Sequence, residues 1–147
     1  MKKIVCCLGI YWFMIQLPSV AQKVEVKEGK ILLDTREYAA IKKEGCGFNT
    51  VCQVELFDTS GKKEIVIVAR KLQDWQRRSS GNPQGYVYYL EFIFLGSGQK
   101  AETANMSFKL EKMASFIVKH NFFKEGRINN EAANEFVLIN GCKYSNK

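Results

Sequence analysis

An α+β fold is predicted, an antiparallel β-meander sheet followed by two C-terminal helices packed on one face. Three observations predict it. Hydrophobicity alternates through much of residues 23–104, then repeats at helical spacing after Asn105. Short turn-forming stretches separate the strand-like segments: Glu28-Gly29-Lys30, Asp58-Thr59-Ser60-Gly61 and Gly96-Ser97-Gly98. Strands come first and helices afterwards, which is the order of segregated layers. The alternating β and α units of a dinucleotide-binding fold are absent, as are a glycine-rich phosphate loop and any internal repeat.

Taken in order, Lys23–Lys27 alternates, Glu28-Gly29-Lys30 turns, and Ile31-Leu32-Leu33 returns, which is a hairpin signal. Tyr38–Ile41 is a further short strand. Val51–Phe57 and Glu64–Leu72 flank a turn that has Asp and Gly where turn chemistry wants them, so the two pair antiparallel. One long loop, Gln73–Gln84, follows. The most apolar stretch then runs from Gly85 to Gly96, Gly-Tyr-Val-Tyr-Tyr-Leu-Glu-Phe-Ile-Phe-Leu-Gly. Its β-branched and aromatic content favours a strand. Both of its faces are apolar apart from Glu91, so it reads as a central strand covered on each side. Gln99–Ala104 is the expected edge strand.

After it, Met106, Leu110, Met113 and Ile117 mark one face of a helix, with Asn105 or Ser107 as its cap. Phe122–Gly126 ends this helix. A second one starts at Asn129 or Asn130 with Glu131 in its first turn, buries Ala133, Phe136 and Val137, and stops at Asn140-Gly141.

Residues 1–21 set the expected compartment. Met1-Lys2-Lys3 is positive, Ile4–Ile15 is apolar, and Ser19-Val20-Ala21 is a small-x-small cleavage pattern before Gln22. This is the layout of a secretory signal peptide. The apolar run is too short for a permanent transmembrane helix, which needs about twenty residues. Cys6 and Cys7 lie within the run and not after it, so no lipid anchor is expected. Residues 22–147 then form a single α+β domain, a length that suits one core.

The chain of 147 residues carries a net charge of +7, two of those charges in the signal segment. Such a balance favours anionic partners. The signs alternate along Lys23, Glu25, Lys27, Glu28 and Lys30, a solvated face and not a phosphate-binding stripe, so nucleic acid is not expected. Neither is a metal or other cofactor: no C-x-x-C occurs, and His120 is the only histidine.

Three cysteines, Cys46, Cys52 and Cys142, follow the signal segment. In an oxidising compartment one disulfide among them is as good a reading as three buried thiols. A fully extended Cys46–Cys52 would span about 20 Å at ~3.3 Å per residue. A disulfide needs Cα atoms within about 7 Å. That pairing therefore requires a turn, which Gly47-Phe48-Asn49 supplies; Cys142 bridging back to the sheet is the alternative.

Candidate chemistry is sparse. Glu91 is either a general acid with a raised pKa or, as is commoner, the cross-strand partner of Arg70 or Lys71. His120 reads as a helix-end histidine near terminal carbonyls. No nucleophile signature surrounds a cysteine. Trp75, Arg77 and Arg78 form a candidate stacking and anion-binding surface on the long loop, for a protein, a glycan or an acidic envelope partner. The competing arrangement folds Trp75 back onto the core. Tyr86, Tyr88 and Tyr89 either line a pocket for an apolar ligand or pack as core under the helices, the commoner outcome.

The Ala21-Gln22 signal end, the Phe57-Asp58-Thr59-Ser60-Gly61 hairpin and the helix pair joined around Phe122–Gly126 resemble small uncharacterised exported proteins of Bacteroidota. The resemblance implies a periplasmic or extracellular location in a Gram-negative bacterium, and it transfers no functional residue. The expected function is an exported, non-catalytic binding module. A small envelope hydrolase using Glu91 or a cysteine, and a carrier for an apolar ligand, are the alternatives.

Overall fold

The structure, a computed structural model, describes residues 22–46 and 51–145. The signal segment expected at residues 1–21 and the turn expected at Gly47-Phe48-Asn49 lie outside the described residues. Seven strands form one sheet: β1 (Val24–Lys27), β2 (Lys30–Leu33), β3 (Arg36–Glu44), β4 (Gln53–Phe57), β5 (Lys63–Gln73), β6 (Tyr86–Phe94) and β7 (Gln99–Ala104). They lie side by side in sequence order, each antiparallel to the next. Helix α1 (Leu110–Lys119) follows, then a two-stranded hairpin of β8 (Phe123–Lys124) and β9 (Arg127–Ile128), then α2 (Asn130–Asn140). The α+β reading therefore holds, with the helices after the sheet.

Local chemistry explains the boundaries. Glu28 and Gly29 both adopt positive φ, 51° and 75°. That is the two-residue turn whose twist matches paired strands, and Lys27 faces Lys30 across it. Asn129 caps α2 by accepting the Ala132 N–H at 3.3 Å, and the Gly141 N–H closes it on the Val137 carbonyl at 2.7 Å. α1 departs from expectation. It begins at Leu110, with Lys109 at its cap and no side-chain cap bond. Ser107 instead accepts the Lys109 N–H at 3.3 Å, a local turn that competes with helix, and Met106 stays in the extended lead-in, packed against the core.

One sheet face carries Ile31, Ile41, Val54, Leu56, Ile65, Ile67, Leu90, Phe92 and Phe94, all buried. Against it pack Met113 and Ile117 of α1, Phe122, and Phe136 of α2. Phe92 is the hub. Its ring lies 5.6 Å from Phe116, 6.2 Å from Phe122 and 5.1 Å from Phe136, spacings at which aromatic pairs attract beyond their area burial.

Two expectations need correction. β6 is bonded on both sides but stands next to the edge, and β4 holds the middle of the sheet. Only one of its faces is covered by a layer: Leu90, Phe92 and Phe94 face the helices, while Tyr89, Glu91 and Ile93 alternate onto the open face. The tyrosine row is not core under the helices. Tyr88 is 55% exposed, and Tyr89 is buried on the open face by Tyr144, ring centroids 5.1 Å apart.

Tyr144 arrives there because residues 141–145 cross the β7 edge from the helical side. The Glu102 N–H donates to the Gly141 carbonyl at 2.7 Å. The Tyr144 and Ser145 N–H groups donate to the Glu102 carboxylate at 2.6 and 3.0 Å. Glu102 is thus a buried carboxylate satisfied by backbone donors.

Candidate functional site

β5 and β6 outrun their neighbours. β4 pairs with β5 only as far as Val68, opposite Gln53, and β7 pairs with β6 only from Tyr89 onward. The remainder, Lys71–Gln73 against Tyr86–Tyr88, continues as a two-stranded arm. Residues 74–85 close its end.

That closing loop is bonded to itself. Asp74 accepts the Gln76 N–H at 3.1 Å and so caps a 3-10 turn, Trp75–Arg77. The Asp74 N–H donates to the Gly85 carbonyl at 2.8 Å. Gly85 has φ 66°, and a Cβ there would stand 2.3 Å from the Asp74 oxygen, so the site needs glycine. The Asn82 side chain accepts the Tyr86 N–H and donates to the Tyr86 carbonyl, both at 3.0 Å. Held this way, Trp75 does not fold back onto the core and stands 56% exposed.

The three loop residues singled out in the sequence come together. The Arg78 guanidinium lies 3.9 Å from the Trp75 ring centroid. Arg77 Nε stands 3.5 Å from an Asp74 carboxylate oxygen. Sequence reasoning missed a fourth member: Lys71 Nζ sits 4.3 Å over the Tyr86 ring, whose edge meets Tyr88. Among the described residues, neither Lys71 nor Arg78 is ion-paired with a carboxylate. The signal for this group was a mismatch of lengths, since the expected strands on either side were shorter than the two forming the arm. Two pockets follow one another along it. One of about 430 Å³ is lined by Val51, Cys52, Ala69, Arg70, Lys71 and Tyr88, the other of about 580 Å³ by Leu72–Gln76.

The catalytic candidates are not brought together. Glu91 meets Arg70 at 2.6 Å and Lys100 at 3.1 Å, as expected for Arg70 and not for Lys71, which points to the other face. Burial pushes the Glu91 carboxyl up, but its bonds to Arg70 and Lys100 outweigh this and hold it below the ordinary carboxylate range. His120 lies on the helical side, its ring 4.4 Å from Phe116 and 5.0 Å from Phe136. Burial, with Lys119 beside it, holds its pKa below the usual histidine value. The sheet stands between the two groups. Cys46 and Cys52 form a disulfide, Cα atoms 4.3 Å apart, so neither offers a thiolate. Cys142, the other cysteine among the described residues, is a free thiol.

No described helix is long and apolar enough to cross a membrane. No protein-family model, curated protein or solved structure matches the chain, so its function is read from the arrangement of its own residues.

Proposed function

We propose that this chain is an exported, non-catalytic binding domain of a Gram-negative cell envelope, periplasmic or extracellular, which engages an acidic partner through the β5–β6 arm. One observation carries the reading. Lys71 and Arg78 rest on aromatic rings at an exposed projection, and among the described residues neither is ion-paired with a carboxylate. A cation on an aromatic face is partly desolvated yet keeps its hydrogen-bond donors, so it is prepared for an anion. The signal-like residues 1–21 and the Cys46–Cys52 disulfide support an oxidising compartment.

The test is co-sedimentation of the protein with an envelope fraction across a salt series. Binding is expected to weaken with salt and to fall at least tenfold in the double variant Arg77→Ala, Arg78→Ala. Equal binding by that variant overturns the arm as the contact surface. N-terminal sequencing of periplasmic protein is expected to begin at Gln22, and an intact Met1 refutes export by cleavage.

A further inference from the structure

We infer that the partner is an extended acidic segment of another protein, added as a strand to the open β5 edge of the arm; this rests on the arm being the contact surface. Backbone groups on β5 alternate between its two neighbours. The Glu64 carbonyl accepts from Leu95 on the β6 side, and the Ala69 N–H donates to Cys52 on the β4 side, at 3.1 Å. By the same alternation, Lys71 and Gln73 turn their N–H and C=O groups toward the β4 side. β4 has already ended there, and no described residue bonds them.

Other edges of the sheet carry features that hinder strand addition. Asn82 occupies the arm's β6 edge at Tyr86, and Gly141 takes the β7 edge at Glu102. β1 carries alternating Glu25 and Lys27 beside Lys23, the kind of charge pattern that discourages pairing. Among the described residues, the β5 edge of the arm has no such guard. Beside it lie three exposed apolar side chains, Val51, Tyr88 and Trp75, and the two pockets that run from residue 69 to residue 76. An added strand gains main-chain bonds from Lys71 and Gln73 and sets alternate side chains against these pockets. Lys71, Arg77 and Arg78 select acidic residues in that strand by charge.

The probe is an acetylated decapeptide of alternating valine and glutamate, titrated against exported protein beginning at Gln22. Trp75 is then the one remaining tryptophan of the two in the sequence and reports binding by fluorescence. Two N-methylated forms are compared with it, one methylated at every valine and one at every glutamate. Only one set of alternate amides faces β5, so one form is expected to lose at least tenfold and the other to bind like the parent. Hydrogen exchange is expected to slow at the Lys71 and Gln73 amides. Equal binding by both methylated forms, or tetragalacturonate binding as tightly as the peptide, overturns strand addition and leaves the arm as an anion-binding surface. Failure of the peptide at millimolar concentration, with envelope binding still lost in the Arg77→Ala, Arg78→Ala variant, also overturns strand addition alone. Loss of that variant's effect removes both readings.

Discussion

Arg70 and Lys71 are neighbours in the chain and belong to different regions of the molecule. Arg70 points to the open face of the sheet, where cations meet carboxylates: Arg70 and Lys100 close on Glu91, Lys63 on Glu55, Lys62 on Glu64. Lys71 points to the other face, on the arm, where cations meet rings: Lys71 on Tyr86 and Arg78 on Trp75. A matched ion pair has little left to offer a partner, whereas a cation held on an aromatic surface still lacks a counter-charge. Among the described residues, the open-face cations named above are each paired with a carboxylate, whereas on the arm Arg77 is paired with Asp74 but Lys71 and Arg78 are not. Charge of one sign therefore closes ion pairs in the first region and, on the function proposed above, is left for a partner in the second.

The widest test of this division is Phe92→Ala. Phe92 is fully buried at the meeting of both helices, so its loss should cost about 3–5 kcal/mol in chemical denaturation. The arm does not touch it, and ligand affinity at temperatures where the variant stays folded should be unchanged. A parallel loss of affinity would mean that the two regions are coupled. Replacing Cys46 and Cys52 together by Ala removes a link across a sequence separation of 6. Loop entropy puts the cost at about 2 kcal/mol.

Glu91→Gln comes next. It strands Arg70 and Lys100, both about half exposed, and should cost about 1–2 kcal/mol. The same residue sets an acid limit. Its folded pKa lies below its unfolded one, so its stabilisation is present above the ordinary carboxylate range and is lost as pH falls through the folded value. The Gln variant should show a smaller stability loss between about pH 5 and pH 3 than the parent. An unchanged acid profile would show that Glu91 is not a pairing that matters to the fold. The smallest effect on stability is expected for Arg78→Ala, within about 0.5 kcal/mol because the side chain is exposed. Its binding should nevertheless fall several-fold, which separates recognition from folding most sharply.

How much of this was legible depends on what a residue pattern encodes. Period two and the turn residues located all seven strands of the sheet, since alternation fixes which face a side chain takes. It does not fix how far along the strand the covering layer reaches. Tyr88 shares the face of Leu90 and Phe92, yet it lies beyond the helices and is exposed. The tyrosines therefore looked like core. The same gap hid the arm: the expected flanking strands were shorter, but the pairing register is what places their ends along β5 and β6. Trp75, Arg77 and Arg78 were found from loop chemistry, while Lys71 was read only as a candidate partner of Glu91. Glu91 marks the open face of β6, but the apolar residues around it made both faces read as covered; its partner, left between Arg70 and Lys71, is the diagonal neighbour Arg70, which shares its face. The disulfide stayed undecided because spacing alone allows Cys46–Cys52, a bridge from Cys142 to the sheet, or three buried thiols, and the geometry selects Cys46–Cys52.

The order of the strands also has a consequence in time. Each of the seven pairs only with its neighbour in sequence, so every step of sheet growth closes a short loop at small entropic cost. The sheet can lengthen one hairpin at a time as the chain emerges, and each newest strand is for that moment an unpaired edge. β7 keeps that status longest, since Gly141, which takes its Glu102 N–H, comes after both helices. The interval between the completion of β7 and the arrival of residues 141–145 is then the period in which a half-made molecule is most open to joining another.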